Sequence, residues 1–134
     1  MTKDSSAIIA VVDDEASVRK ALLRLLRSAG LKTQAFASGR EFLNTLPSIL
    51  YDCVVLDLHM SAMTGFDLQR DSIFIKARIP TVIITAYDEP GMREKCLSLG
   101  AAAYLCKPVD DKDLLSAIEA AIRGEPRSSG GASN

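Results

Sequence analysis

The stretch Cys53-Val54-Val55-Leu56-Asp57 decides the fold. Four successive apolar residues, with no polar alternation, describe a strand buried on both faces, the pattern of a parallel sheet covered by helices. The run ends on a carboxylate without a polar transition. Leu58, His59, Met60 and the small-residue stretch from Ser61 to Gly65 follow. An acid at the carboxyl end of a buried parallel strand faces the crevice in which open α/β sheets place their chemistry. The competing reading of Asp57 is a helix cap, but the next helical pattern begins near Gly65, too far on for that.

Working outward, apolar runs alternate with helical patterns. Ile8 to Val12 is a strand that also ends in acids, Asp13, Asp14 and Glu15. Val18, Leu22, Leu25, Leu26 and Ala29 then share one helix face, and Gly30 supplies a stop. Leu31 to Phe36 is a weaker strand. Ser38-Gly39-Arg40-Glu41 reads as a capping box for a helix with Phe42, Leu43 and Leu46 inward, closed by Pro47. After Asp57 a third helix runs from Gly65 to about Asp71, and Ile73 to Ile79 shows no clean period. Thr81 to Thr85 is a fourth buried strand. Asp88 is placed to cap the next helix, with Pro90 in its first turn and Met92, Cys96 and Leu99 on one face. Ala102 to Cys106 is a fifth strand, ended by Lys107-Pro108. Asp110 and Asp113 open a last helix whose inner stripe is Leu114, Leu115, Ile118, Ala121 and Ile122. This alternation predicts an α/β fold, a doubly wound five-stranded parallel sheet with helices on both faces. Analogy with flavodoxin-like folds gives the strand order 2-1-3-4-5. The expected organisation is a disordered N-terminus over residues 1–7, one domain over 8–123, and a flexible tail or linker over 124–134, rich in Ser and Gly.

Composition fits a single globular domain. The chain has 134 residues, 48% of them hydrophobic, and a formal net charge of −1. Its Lys and Arg residues are scattered, so no basic stripe suggests nucleic acid and no charged tail suggests a membrane surface. Cys53, Cys96 and Cys106 are odd in number and lie in apolar contexts, which reads as buried thiols in a reducing compartment. Met1 to Ser6 lacks the form of a signal peptide, and no apolar run approaches the roughly 18 residues of a spanning helix. A soluble, cytoplasmic protein is expected.

The polar residues gather at the strand ends: Asp13 and Asp14 after the first, Asp57 on the third, Thr85 on the fourth, Lys107 after the fifth. Singly, Asp13 and Asp14 read equally well as helix caps, Thr85 as a β-branched strand residue and Lys107 as a solvated charge. Together they make a carboxylate cluster with a hydroxyl and an ammonium on one rim. Three close carboxylates repel, and without a counter-charge one is driven toward protonation. Mg²⁺ (or Mn²⁺) removes the conflict, since it takes one or two carboxylates, waters and a phosphoryl oxygen. The pattern therefore suits phosphoryl chemistry, with Asp57 as nucleophile, Lys107 neutralising charge on the transferred group and Thr85 donating to one of its oxygens.

These residues resemble the receiver domain of bacterial two-component response regulators over about Ile8 to Ile122. The resemblance rests on Val11-Val12-Asp13-Asp14-Glu15, Val54-Val55-Leu56-Asp57-Leu58 with Gly65 downstream, Ile83-Ile84-Thr85-Ala86, Gly100 to Leu105, and Lys107-Pro108. It implies phosphorylation of Asp57 from a phosphohistidine on a sensor histidine kinase or phosphotransfer protein. It implies Mg²⁺ ligation by Asp14, Asp57 and the His59 backbone carbonyl, with Asp13 acting through a water. Lys107 would pair with Asp57 or the phosphate, and its bond to Pro108 is usually cis in such domains. The family is a signalling switch and not an enzyme, beyond self-catalysed transfer and slow autodephosphorylation. Thr85 and Tyr104 would be the switch residues, Thr85 moving toward the phosphoryl group and Tyr104 turning inward behind it. The fourth helix, fifth strand and fifth helix would then meet a partner or a second copy. His59 and Tyr87, two residues beyond Asp57 and Thr85, are placed to tune the lifetime of the phosphoaspartate.

Ser61 stands where many members carry Pro. Phe36 and the Ser38-Gly39-Arg40-Glu41-Phe42-Leu43 segment lean toward regulators with a C-terminal helix-turn-helix, a DNA-binding module that would lie beyond Asn134; this domain itself would not bind nucleic acid. Two other readings compete. A flavodoxin-like cofactor carrier needs a neutral phosphate-cradling loop where Asp13-Asp14-Glu15 stands. A phosphatase with an aspartyl nucleophile, of the haloacid dehalogenase kind, wants a second Asp two residues on, where this chain has His59.

Overall fold

In the computed structural model, which describes residues 7–124, five strands form one sheet. β1 (Ile8–Val12), β2 (Lys32–Phe36), β3 (Cys53–Asp57), β4 (Thr81–Thr85) and β5 (Ala103–Cys106) lie in the order β2-β1-β3-β4-β5, every pair parallel. This is the arrangement the apolar runs predict. Side chains alternate across it. In β3, Val54 and Leu56 enter one core with Phe42, Leu68, Ile83 and Cys96, while Cys53 and Val55 enter the other with Leu22, Leu26, Leu114 and Ile118. The second core is closed by α1 (Ala16–Ser28) and α6 (Asp111–Arg123). The first is closed by α2 (Gly39–Leu43), α3 (Gly65–Arg70), α4 (Ser72–Ala77) and α5 (Met92–Ser98).

Register delivers the polar residues to one rim. Val12 pairs with Leu56, so Asp13 and Asp57 leave β1 and β3 at the same level. Asp57 pairs with Ile84, and Thr85 with Cys106, which brings Thr85 and Lys107 to that level as well. The Lys107 N–H donates to the Thr85 carbonyl at 2.7 Å and extends the ladder by one bond.

Several local expectations need correction. The third helical segment is two helices, because Asp71 is extended (φ −68°, ψ 134°) and caps α4 by accepting from the Ile73 and Phe74 N–H groups. Only Phe74 of α4 is buried, whereas Ile73 and Ile75 are exposed, which is why the sequence shows no period there. Ser38 does accept from the Glu41 N–H, but Glu41 Oε1 accepts from Ala37 and not from Ser38. The reciprocal capping box is at α3, between Thr64 and Asp67. The α2 helix ends at Leu43, before Pro47. Asp88 caps nothing: α5 begins at Met92 after Gly91, whose φ of 85° turns the chain in the left-handed region open to glycine. Pro90 therefore precedes the helix. Cys53 and Cys96 are buried, but Cys106 is exposed, at the end of the edge strand. Ala7, expected in the disordered N-terminus, is buried, and its carbonyl accepts the Lys32 N–H at 3.1 Å. The rest of that segment, and the tail beyond Gly124, lie outside the described residues. The Lys107–Pro108 peptide bond is cis, and so is Leu46–Pro47.

Candidate functional site

Asp13, Asp14 and Asp57 come together at the rim, each with one carboxylate oxygen within 4.8 Å of the others. Asp13 is fully buried and Asp57 is 4% exposed, while Asp14 faces outward. Neither Asp13 nor Asp14 caps α1, whose N-cap position is Glu15. Asp13 Oδ1 accepts from the Glu15 N–H at 2.9 Å, and Asp14 Oδ2 accepts from the Ser61 N–H at 3.1 Å. Arg19 reaches back from α1 to the Asp13 carbonyl at 2.8 Å, which pins the turn between strand and helix.

Lys107 enters from β5. Its Nζ lies 3.1 Å from Asp13 Oδ2 and 3.5 Å from Asp57 Oδ1. Burial opposes its charged form, but the hydrogen bond to Asp13 and the charges of Asp57 and Asp13 outweigh this and hold its pKa above the ordinary lysine value. One ammonium does not balance the cluster. Burial, and then the Asp13 charge, push Asp57 up to about 6, against the pull of Lys107 and of the His59 N–H. A hard divalent cation fits here: the donors are carboxylate oxygens, and the negative charge exceeds the protein's own compensation. The His59 carbonyl, a ligand the family resemblance implies, belongs to the loop that leaves Asp57.

That loop is short and tight because of Gly65. Its N–H donates to the Leu58 carbonyl at 2.9 Å, and a Cβ there would stand 2.9 Å from Leu58 Cα and 3.2 Å from the Asp57 carbonyl oxygen. No side chain fits without displacing backbone directly behind Asp57. His59 donates its backbone N–H to Asp57 Oδ1 at 3.3 Å. Its ring packs edge-on against Tyr87, with centroids 5.3 Å apart, and its Nε2 is buried with no hydrogen-bond partner. The pair bridges the loops that follow β3 and β4. Thr85 is fully buried, and its hydroxyl bonds within its own loop, donating to the Tyr87 carbonyl at 3.2 Å and accepting the Tyr87 N–H at 3.1 Å.

Tyr104 stands apart from the carboxylates. It is 3% exposed, its ring lies in the core shared with Ile83 and Cys96, and its hydroxyl donates to Asp88 Oδ1 at 3.0 Å. Nothing in the sequence marked Asp88 as a partner of Tyr104, Arg19 as a contact of the Asp13 carbonyl, or the Ser61 N–H as a donor to Asp14. Arg19 read as one more cation on a polar helix face, and backbone donors carry no residue signal at all. A groove of about 490 Å³ runs between α1 and α6; its wall includes Val18, Leu22, Val109 and, from the end of β5, Lys107 and Pro108. It is apolar and lies beside the site. Among the described residues no helix is long and apolar enough to cross a membrane.

A family model described as the response regulator receiver domain matches residues 9–119. The chain is 35% identical over 124 residues to the response regulator protein TmoT of Ectopseudomonas mendocina, a match covering 92% of this chain and 56% of that protein. It spans about half the length of the curated relatives it matches. Among solved structures, FixJ-N superposes with a TM-score of 0.81 at 31% identity, covering 88% of this chain and 94% of that one. A response regulator receiver protein from Burkholderia phymatum superposes with a TM-score of 0.76 at 40% identity, covering 88% and 96%. These matches do not favour a cofactor carrier or a phosphatase. An acidic rim, a five-stranded sheet in this order and a match along nearly the whole described chain agree, and the chain belongs to the response regulator receiver domain family.

Proposed function

We propose that this domain is a phosphoacceptor switch in which Asp57 takes a phosphoryl group from the phosphohistidine of a sensor histidine kinase or phosphotransfer protein. The observation that carries the reading is the position of Asp57: a nearly buried carboxylate with Asp13 and Asp14 on one side and Lys107 Nζ 3.5 Å away. An Asp57 oxygen attacks phosphorus, the P–N bond breaks, and the imidazole nitrogen leaves with the electron pair. The product is an acyl phosphate on Asp57 and a neutral histidine on the donor.

The Asp14 and Asp57 carboxylates and the His59 carbonyl, with Asp13 acting through a water, would hold Mg²⁺ or Mn²⁺, which would supply positive charge for the transferred oxygens. Lys107 supplies the chain's own positive charge there. Thr85 donates a hydrogen bond to a phosphoryl oxygen by turning its hydroxyl away from the Tyr87 carbonyl, which loosens the turn after β4. His59 and Tyr87, stacked edge to face across the two loops, screen Asp57 from water and so set the lifetime of the acyl phosphate. The chain catalyses its own phosphorylation and its slow hydrolysis and turns over no other substrate. Its output is binding of a partner, or a second copy, through the face made by α5, β5 and α6. It works in the cytoplasm, and a DNA-binding output module would belong to a longer chain.

Acetyl phosphate with Mg²⁺ tests the assignment by intact-mass spectrometry. One phosphoryl group per chain is expected, absent in Asp57→Asn and absent in excess chelator. Stoichiometric labelling of Asp57→Asn would overturn it.

A further inference from the structure

Tyr104 is fixed by contacts that involve neither Asp57 nor Thr85. Its hydroxyl is bound to Asp88 Oδ1 at 3.0 Å. Its carbonyl accepts from Arg93 Nη1 at 3.3 Å, and the Arg93 guanidinium carbon stands 5.7 Å from the ring centroid. Asp88 comes from the loop after β4, Arg93 from α5 and Tyr104 from β5, so three separate segments meet on one aromatic ring. The ring is buried and its hydroxyl has a charged acceptor, an arrangement stronger than a hydrogen bond between neutral groups. Asp88 in turn follows a turn closed by the Thr85 hydroxyl, which bonds both the N–H and the carbonyl of Tyr87.

We propose that Asp88 is a positioning residue that holds Tyr104 inward in the unphosphorylated chain. The inward position of the aromatic there depends on Asp88 and needs no phosphoryl group. A phosphoryl group reaches Tyr104 only by drawing the Thr85 hydroxyl off Tyr87 and shifting the loop that carries Asp88. The face formed by α5, β5 and α6 is therefore set by an acid three residues beyond Thr85. This second step rests on the phosphoacceptor reading; the Asp88 anchor does not.

The chain has three tyrosines and no tryptophan, so 3-fluorotyrosine labelling gives three fluorine resonances, assigned with Tyr51→Phe and Tyr87→Phe. A soluble gadolinium chelate then reads exposure in the unphosphorylated chain. Tyr87, 62% exposed, and Tyr51, 6% exposed, calibrate the scale. Tyr104 is expected to be relaxed as weakly as Tyr51 in the unaltered chain. In Asp88→Ala and in Asp88→Ser, whose side chain is shorter, its relaxation is expected to rise several-fold while Tyr51 stays shielded. Asp88→Asn, which keeps an acceptor oxygen, is expected to restore the shielding. Tyr104 relaxed as strongly as Tyr87 in the unaltered chain, Tyr104 still shielded in both shortened variants, or Tyr51 exposed together with Tyr104 would each overturn the anchor. Because no phosphoryl donor is present, such a result leaves the assignment of Asp57 standing, and acetyl phosphate labelling tests that separately.

Discussion

Replacing Asp57 with its neutral isostere, Asn, is expected to stabilise the metal-free fold. Asp57 has its pKa raised from 3.8 to about 6, first by burial and then by the Asp13 charge. A carboxyl group whose folded-state pKa lies above its unfolded value contributes stability that is fully present below the unfolded pKa and is lost as pH rises through the folded one. The window here runs from about pH 4 to about pH 6. The shift corresponds to about 3 kcal/mol of disfavoured charge at neutral pH. That figure already includes the pull of Lys107, 3.5 Å away, and Asp57→Asn keeps a buried polar group in place of the charge. The net gain at pH 7.5 is therefore smaller, about 1–2 kcal/mol. Urea unfolding followed by circular dichroism, in chelator, measures the midpoint and slope for both proteins at pH 7.5 and pH 4. The variant is expected to be the more stable at pH 7.5, with the gap closing at pH 4, where the native carboxyl is protonated. Equal stabilities at pH 7.5, or a gap independent of pH, would refute the electrostatic account of the site.

Other outcomes follow from the same geometry. Lys107→Ala leaves two buried carboxylates without their counter-charge and is expected to cost about 2–4 kcal/mol at pH 7.5 by urea unfolding. Mg²⁺ binding should survive that change, whereas the phosphorylated variant should lose partner binding; normal partner binding would remove Lys107 from the switch. Gly65→Ala, which forces a Cβ to within 2.9 Å of Leu58 Cα, is expected to cost about 1–3 kcal/mol and to slow labelling of Asp57. Replacing both His59 and Tyr87 with Ala should shorten the lifetime of the acyl phosphate, read as loss of the phosphoryl mass with time, and an unchanged lifetime would end their screening role.

The sheet was legible because β3 and β4 are buried at every position, so burial shows as unbroken apolar runs. Strand-end polarity brought Asp13, Asp57, Thr85 and Lys107 to notice only as a set, since each taken singly has an ordinary structural explanation. What the chain hid lies where side chains break the local rule. Ile73 and Ile75 face solvent on α4, so the helix has no apolar stripe to read. Cys106 sits in an apolar context along the chain, but its strand is the sheet's edge, and edge position follows from topology. Asp88 looked like a helix cap because Asp before a helix usually is one; its partner, Tyr104, is 16 residues away and joined only through the fold.

Whether Asp13, Asp14 and Asp57 share one cation is decided most directly by titrating Mg²⁺ into the chain at pH 7.5, reading stoichiometry by calorimetry and stability by thermal unfolding. One ion per chain is expected, with stabilisation of about 2.7 kcal/mol at a hundredfold excess over the dissociation constant. Both signals should vanish in Asp14→Asn and in Asp57→Asn. Binding that survives both substitutions, or none at all in the unaltered chain, would contradict a shared cation site at the strand ends.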